Sequence, residues 1–401
     1  MTDQNDGPEG LGRATRRGVL GAIGAVAAAG VARAQAPALP SNPVSINIVD
    51  VAGNLALTQR GFDAYRAANP KLVSHISYSQ APAPEIPGKL KAQQDAGRVD
   101  IDMVLTGNDA LAAGIDQKLW VPLLTQYAAQ LPKLAGMLNP LATRLQTAAG
   151  DQGVIVAACP GGPILEYMPD RVKQVPHTAA ELMAWCKAHP KRFMYARPAN
   201  SGPGRAFMMG LPYILGDKNP KDPQNGWDKT WAYLEELGST IAYYPTGSGP
   251  VYKELGEGSR DMVASHVGWD INPRVLGIVP KQAAITTLAG FHWIGDSHFM
   301  CVPKGLAPGK MAVLLDMIGF MLKPHQQAFI YDKGYFYPGP VVNGVTLAMA
   351  PQESQDAIKE YGRPEYAKLF TDNPIELPLD ADKMVLAFKL WDQRVGTKVA
   401  K

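Results

Sequence analysis

The residues with the clearest chemistry sit in three short stretches. Gly268-Trp269-Asp270-Ile271-Asn272 follows a short apolar segment and puts an indole beside a carboxylate. That pair can hold a protonated amine by cation–π contact and a charge-assisted hydrogen bond. The competing arrangement is a buried Trp269 with Asp270 capping the next helix. Trp293 and Asp296 offer the same chemistry, with core packing and a turn as their alternative. Ser201-Gly202-Pro203-Gly204-Arg205 lies between an expected strand and helix. Its glycines expose backbone N–H groups, a helix start favours anions, and Arg205 can fork onto a carboxylate or phosphate. A plain tight turn competes with that arrangement.

These stretches need a scaffold, and the chain alternates in a way that supplies one. Strands are expected over 44–51, 72–79 and 101–105, with helices over 57–69, 89–97 and from 109 to 117. This β-α-β-α-β order implies a parallel, doubly wound sheet. Such sheets carry ligands outside the carboxyl ends of their strands, which singles out Asn54, Asn108 and Asp109. A second α/β region follows. Its strands are expected over 154–159, 192–196, 241–244, 262–267, 284–288 and 299–302, and its helices over 179–189, 205–215 and 227–237. Pro160-Gly161-Gly162-Pro163 punctuates the first of those strands. Further helices are expected over 310–322, 326–333 and 382–395. The order from the first strand to His292-Trp293-Ile294-Gly295-Asp296-Ser297-His298-Phe299-Met300-Cys301-Val302-Pro303, and on to Lys323-Pro324-His325-Gln326-Gln327-Ala328, resembles the extracellular solute-binding proteins of ABC importers. The likeness is to the two-lobed group of polyamine, thiamine and ferric-iron binders.

That resemblance implies two doubly wound α/β lobes joined by crossing strands, with a small ligand in the cleft between them. It places one lobe over 43–158 plus 302–344 and the other over 160–298, with 345–401 packing across both. Hinges are expected near 159–163 and 299–303. It also implies a permease of an ABC importer as partner, and a monomer. Polyamine binders tend to be acidic near the position where this chain has Gly202-Pro203-Gly204-Arg205. A ligand with both an amine and a carboxylate or phosphate reconciles Arg205 with Asp270 and Asp296.

Other stretches carry less. Thr246-Gly247-Ser248-Gly249 is read as a flexible turn ahead of a polar loop at the cleft. Tyr243 and Tyr244 stay open between pocket and packing, and Tyr335-Phe336-Tyr337-Pro338-Gly339-Pro340 is read mainly as packing. His292 and His298 would share one face of a strand, but a turn at Gly295 is expected to break that period; with Cys301 and Asp296 they match no common zinc spacing, so no metal is expected. His75, His177, His189, His266 and His325 are read as surface or structural. HExxH, P-loop and Gly-x-Ser-x-Gly motifs are missing, so neither catalytic residues nor a cofactor is expected.

The start of the chain reads as an address. Thr15-Arg16-Arg17-Gly18-Val19-Leu20 precedes a glycine- and alanine-rich apolar run to Val31, the layout of an export signal for the twin-arginine translocase. An ordinary secretory signal holding two arginines is the alternative. Cleavage is expected after Ala34, which puts the working protein in the periplasm. The chain has 39 basic and 36 acidic residues; the leader's four arginines and three acids leave 35 and 33. No basic stripe points to nucleic acid. Three cysteines cannot build a disulfide framework, and Cys159–Cys186 is the one pairing considered. An exported cofactor-containing enzyme and a ligand-binding sensor of the same fold are the alternative functions.

Overall fold

The structure, a computed structural model, describes residues 36–397. The arginine pair and the Ala34 cleavage position lie outside the described residues. The chain opens with β1 (Val44–Asp50), α1 (Leu55–Ala68), β2 (Val73–Gln80), α2 (Ile86–Asp95), β3 (Met103–Thr106) and α3 (Asn108–Asp116). β1 pairs parallel with both β2 and β3, as the alternating order requires. Short α4 (Leu123–Gln126) and α5 (Pro140–Ala149) lead into β4 (Val154–Gly162). The Asn139 side chain caps α5 by accepting from Ala142 N–H, with Pro140 at the first helical position.

β4 leaves this first region and feeds β5 (Ile164–Tyr167), α6 (Ala179–Ala188), β6 (Phe193–Met194), α7 (Gly202–Ile214), α8 (Asp228–Gly238), α9 (Ser248–Glu257), β7 (Met262–Ser265), α10 (Asn272–Val275) and β8 (Ala284–Thr286). β9 (Trp293–Cys301) returns. It is followed by α11 (Pro308–Met321), α12 (Pro324–Ala328), β10 (Gly339–Pro340), α13 (Gln352–Tyr361), α14 (Tyr366–Asp372), β11 (Ile375–Glu376) and α15 (Ala381–Trp391).

Two sheets result, one per lobe. The larger runs β10-β4-β9-β3-β1-β2, with β11 added to β9; the smaller runs β6-β7-β5-β8. The fold is a two-lobed α/β arrangement. Its smaller sheet is mixed: β6 and β7 are parallel, while β5 runs antiparallel to both β7 and β8. The larger sheet is covered on both faces, so β4 is buried along its whole length. Asp102 locks the β1–β3 side: buried, it accepts from Asn47 N–H at 2.8 Å and pairs with Lys310 of α11 at 2.8 Å.

The crossing is made by the antiparallel pair β4 and β9, in register from Val154↔Met300 to Gly162↔Ile294. The register slips between Cys159 and Gly162, where Gly161 takes φ +83°. A Cβ there would fall 1.9 Å from the Ile294 carbonyl oxygen, so glycine is required. Pro160-Gly161-Gly162 therefore continues β4 instead of ending it, and β5 follows almost at once. Gly295 likewise lies inside β9 rather than at a turn.

Two other expectations are corrected. Residues 241–244 form no strand. Single backbone bonds at Lys191–Thr240 and Arg197–Pro245 flank the segment, and Tyr244 packs by its ring on Tyr195 and Trp391. The cysteines are all free and buried. Cys159 belongs to the large-sheet core and Cys186 to the core of the smaller lobe, so they are not paired. The C-terminal α15 packs against α3 and places Trp391 Nε1 3.1 Å from the Tyr195 hydroxyl.

Candidate ligand cleft

A cavity of about 500 Å³ opens between the lobes. From the large-sheet side it is walled by Asp50–Gly53 after β1, Gln80–Pro82 after β2, and Gly107 and Asp109 after β3. These are strand carboxyl ends, where parallel sheets present their loops. The other side supplies Asn200–Gly202 and Arg205 at the start of α7, Gly247–Gly249 at the start of α9, and His266 and Trp269 after β7. Asp296 and His298 of β9 and the Tyr335-Phe336 pair complete it.

Arg205 is the centre of its polar wall. Its Nη1 donates to Asp109 Oδ2 at 2.7 Å, and its Nη2 to the two Asp296 oxygens at 3.0 and 3.1 Å. All three residues are buried. Asp109 stands on α3 and Arg205 on α7, so this ion pair bridges the two sides of the cleft. Asp296 also meets His266 Nε2 at 3.1 Å and accepts from Asn108 Nδ2 at 2.8 Å. Burial alone would raise the Asp296 carboxyl, but Arg205 and His266 hold it well below the usual carboxylate range. Burial would likewise lower the Arg205 guanidinium, yet the two carboxylates push it up. A second crossing bond joins Ala83 N–H to Asn200 Oδ1 at 3.0 Å.

Asp50 occupies the start of α1. Its Oδ1 accepts from Ala52 and Asn54 N–H, and its Oδ2 from Leu55 N–H. Burial raises its carboxyl against the pull of these donors. No carboxylate caps the starts of α7 and α9, although Asp296 Oδ2 lies beside Gly202 in the first turn of α7. There Ser201 Oγ accepts from Gly204 N–H and lies 2.8 Å from Ser248 Oγ. First-turn N–H groups have no partner within their own helix, so this corner offers donors. The aromatic wall is Trp269, stacked on Tyr252 at 5.0 Å and set edge-on to Tyr335 at 5.3 Å.

The structure brings together Asp109, Ser201, Arg205, Trp269 and Asp296 at this cavity. Asn108 stands just behind it, holding Asp296 and accepting from the Ser297 hydroxyl at 2.9 Å. Asn54 is buried behind the 50–53 wall, and its amide has no hydrogen-bond partner. Two expectations fail. Asp270 is fully buried and committed elsewhere: it accepts from Arg363 at 2.8 Å, from the Tyr366 hydroxyl at 2.5 Å and from Gly268 N–H at 3.1 Å. Trp293 is fully buried beside Phe291 and Phe370, with Nε1 donating to Leu369 O at 3.0 Å. The reason is strand period. Residues 293 and 296 are three apart on β9, so they face opposite sides.

The same period identifies what the sequence reading missed. His298 is two residues from Asp296 and joins it at the cavity. His266, read as structural, is a cleft residue, as are Gly247, Ser248 and Gly249. Tyr335 and Phe336 line the cavity too. His292 is separate, stacked on Tyr213 and 3.3 Å from Glu376, and Cys301 is buried in the large core. Among the described residues no cluster of three or more His, Cys, Asp or Glu is arranged to hold a metal. Nor is any described helix long and apolar enough to cross a membrane.

Known proteins share this fold. The chain is similar to a putative spermidine/putrescine ABC transporter from Listeria monocytogenes, with 13% identity, TM-score 0.59, and 86% of this chain and 99% of that one covered. It is similar to a periplasmic thiamin binding protein, with 14% identity, TM-score 0.61, and 91% and 100% covered. It is also similar to the periplasmic binding protein AfuA from Actinobacillus pleuropneumoniae, solved with exogenous fructose-6-phosphate. There the identity is 13%, the TM-score 0.61, and the coverage 88% and 98%. These likenesses carry the fold. No curated protein matches the chain in sequence. The family described as bacterial extracellular solute-binding protein matches residues 62–360, three quarters of the length. The chain belongs to that bacterial extracellular solute-binding family.

Proposed function

We propose that this protein is a periplasmic receptor that captures a small amine-bearing solute between its lobes and delivers it to the permease of an ABC importer. One observation carries the amine. The cavity holds three carboxylates, Asp50, Asp109 and Asp296, against a single guanidinium, Arg205. Counting His266 as a cation still leaves the balance negative. In a partly enclosed, low-dielectric cleft, a protonated amine restores neutrality, and Trp269 and Tyr335 add aromatic faces for it. The donor corner at Ser201, Gly202 and Ser248 supports a carboxylate or phosphate elsewhere on the same solute. Arg205 is not a free fork for that anion, because each of its Nη groups already donates to a carboxylate, Nη1 to Asp109 and Nη2 to Asp296.

Transport is supported by the fold relatives, several of which are ABC transporter components. Export by the twin-arginine translocase rests on Arg16 and Arg17, with cleavage after Ala34. The protein acts as a monomer and catalyses nothing. Its lobes are taken as 43–158 plus 302–344 and 160–298, with 345–401 packing across them. A ligand touching both sides favours the closed form, since it contacts both lobes only there.

Native mass spectrometry of protein purified from its own host tests this. The expected result is a bound solute of a few hundred daltons or less that contains an amine, and that raises the melting temperature when added back. A bound solute without an amine, or turnover of it, would sink the proposal. Stimulation of ATP hydrolysis by the reconstituted importer separates transport from sensing.

A further inference from the structure

His298 lines the cleft without a hydrogen bond. Its residue exposure is 4% and neither ring nitrogen has a partner: Nδ1 is fully enclosed, and Nε2 is the nitrogen that keeps surface at the cavity and can meet a ligand. Its ring packs on Phe336 at 4.3 Å. The other histidine lining the cleft, and another elsewhere, are spoken for. His266 meets Val267 O at 2.9 Å and Asp296 at 3.1 Å, and His189 meets Trp185 O at 2.9 Å. A buried imidazole left without a partner is costly, and native proteins seldom tolerate it without a reason. At a cavity wall the reason to test first is a partner that arrives with the ligand.

The groups facing His298 fix what that partner is. Burial disfavours its imidazolium most strongly, with Arg205 and His266 adding to the effect; Asp296 and Asp109 oppose it. The outcome is a neutral ring, lowered to about 4. A neutral imidazole has one lone pair to offer, and here it stands beside Asp296 in a cavity of net negative charge. Both features suit an N–H donor that is also a cation.

We infer that His298 is a specificity-determining residue that accepts a hydrogen bond from the ligand's protonated amine, so that the cleft selects amines bearing N–H over quaternary ammonium ions. This rests on the amine reading above and deepens it. Charge and aromatic faces alone would accept either kind of cation. The lone pair of His298 cannot, because a quaternary nitrogen has no proton to donate and would leave the ring unpaired.

Isothermal titration of the full mature chain at pH 7.5 tests this with three matched pairs: ethanolamine and choline, glycine and glycine betaine, putrescine and its hexamethylated form. At least one N–H amine should bind, with its methylated partner at least tenfold weaker. His298→Leu should weaken that amine at least tenfold and erase the preference. His298→Gln, which keeps a carbonyl acceptor, should retain it. Equal affinity within the pair on wild type, or an unchanged Kd in His298→Leu, overturns the role of His298 while the amine reading stands. If none of the six binds, the same comparison is made with the amine recovered from the host and its fully N-methylated form; a recovered solute without an amine overturns both readings. If His298→Leu does not melt cooperatively, the pair comparison on wild type and the His298→Gln variant still decide.

Discussion

Arg205→Met tests the cleft at its centre. The substitution keeps an unbranched chain but removes the guanidinium between Asp109 and Asp296, contacts of 2.7 and 3.0 Å with all three side chains at least nine-tenths buried. Removing one partner of a buried ion pair costs about 3–5 kcal/mol, because the remaining charge stays buried and uncompensated. Two carboxylates are stranded here, so the upper half of that range is expected. Urea unfolding at pH 7.5, followed by fluorescence and circular dichroism together, reads the loss directly. Adding Asp109→Asn and Asp296→Asn to Arg205→Met should recover more than half of it, since no charge is then left unpaired. The acid limb gives a second check. The Asp296 carboxyl is held below its ordinary range, so its contribution is fully present above about pH 4 and is lost as pH falls below that. In Arg205→Met this acid loss should shrink. A cost below about 1 kcal/mol, the size of an exposed pair, would refute the reasoning and mean that the three groups are solvated rather than locked.

Three further outcomes follow from the same geometry. Asp270→Asn should lower stability by about 3–5 kcal/mol by stranding Arg363, yet leave the Kd of the native solute unchanged in titration, because its oxygens are committed to Arg363, Tyr366 and Gly268. His298 should make wild type progressively less stable as pH falls from about 6.5 to about 4. The unfolded chain takes up that proton first, and the window corresponds to about 3 kcal/mol that His298→Leu should remove from a pH-dependent denaturation series. Gly268→Ala should cost more than about 2 kcal/mol by thermal or urea unfolding. Gly268 sits at φ +95°, and a Cβ would fall 2.3 Å from the Tyr335 carbonyl oxygen, so strain and a forced backbone shift add.

How much of this was legible in the sequence depends on the range of the interactions. The alternation of β1, α1, β2, α2 and β3 is local periodicity, and it carried the parallel core and the strand-end positions of Asn108 and Asp109. Pro160-Gly161-Gly162 misled because its composition is that of a turn, whereas Gly161 serves close passage of β4 against Ile294. The short β5 behind it was hidden for the same reason. Asp270 and Asp296 look alike in sequence, each an acid near a Trp. They part only in space: Arg363 and Tyr366, nearly a hundred residues on, close over Asp270, while Arg205, His266 and Asn108 hold Asp296 at the cleft.

One part of the site was within reach of the sequence and depended on a single assignment. Placing a turn at Gly295 broke the strand that holds Trp293, Asp296 and His298, and so removed the only rule that sorts them. With β9 continuous from Trp293 to Cys301, side chains alternate, and an acid at 296 in the cleft brings 298 with it and sends 293 away. Nothing at Gly295 demands a turn or a glycine: a Cβ there would sit in ordinary van der Waals contact, 3.4 Å from both the Glu376 carbonyl oxygen and Leu145. The glycine that suggested a break instead marks where β11 lies alongside β9, and that continuity is what delivers a neutral imidazole to the same wall as the Asp296 carboxylate.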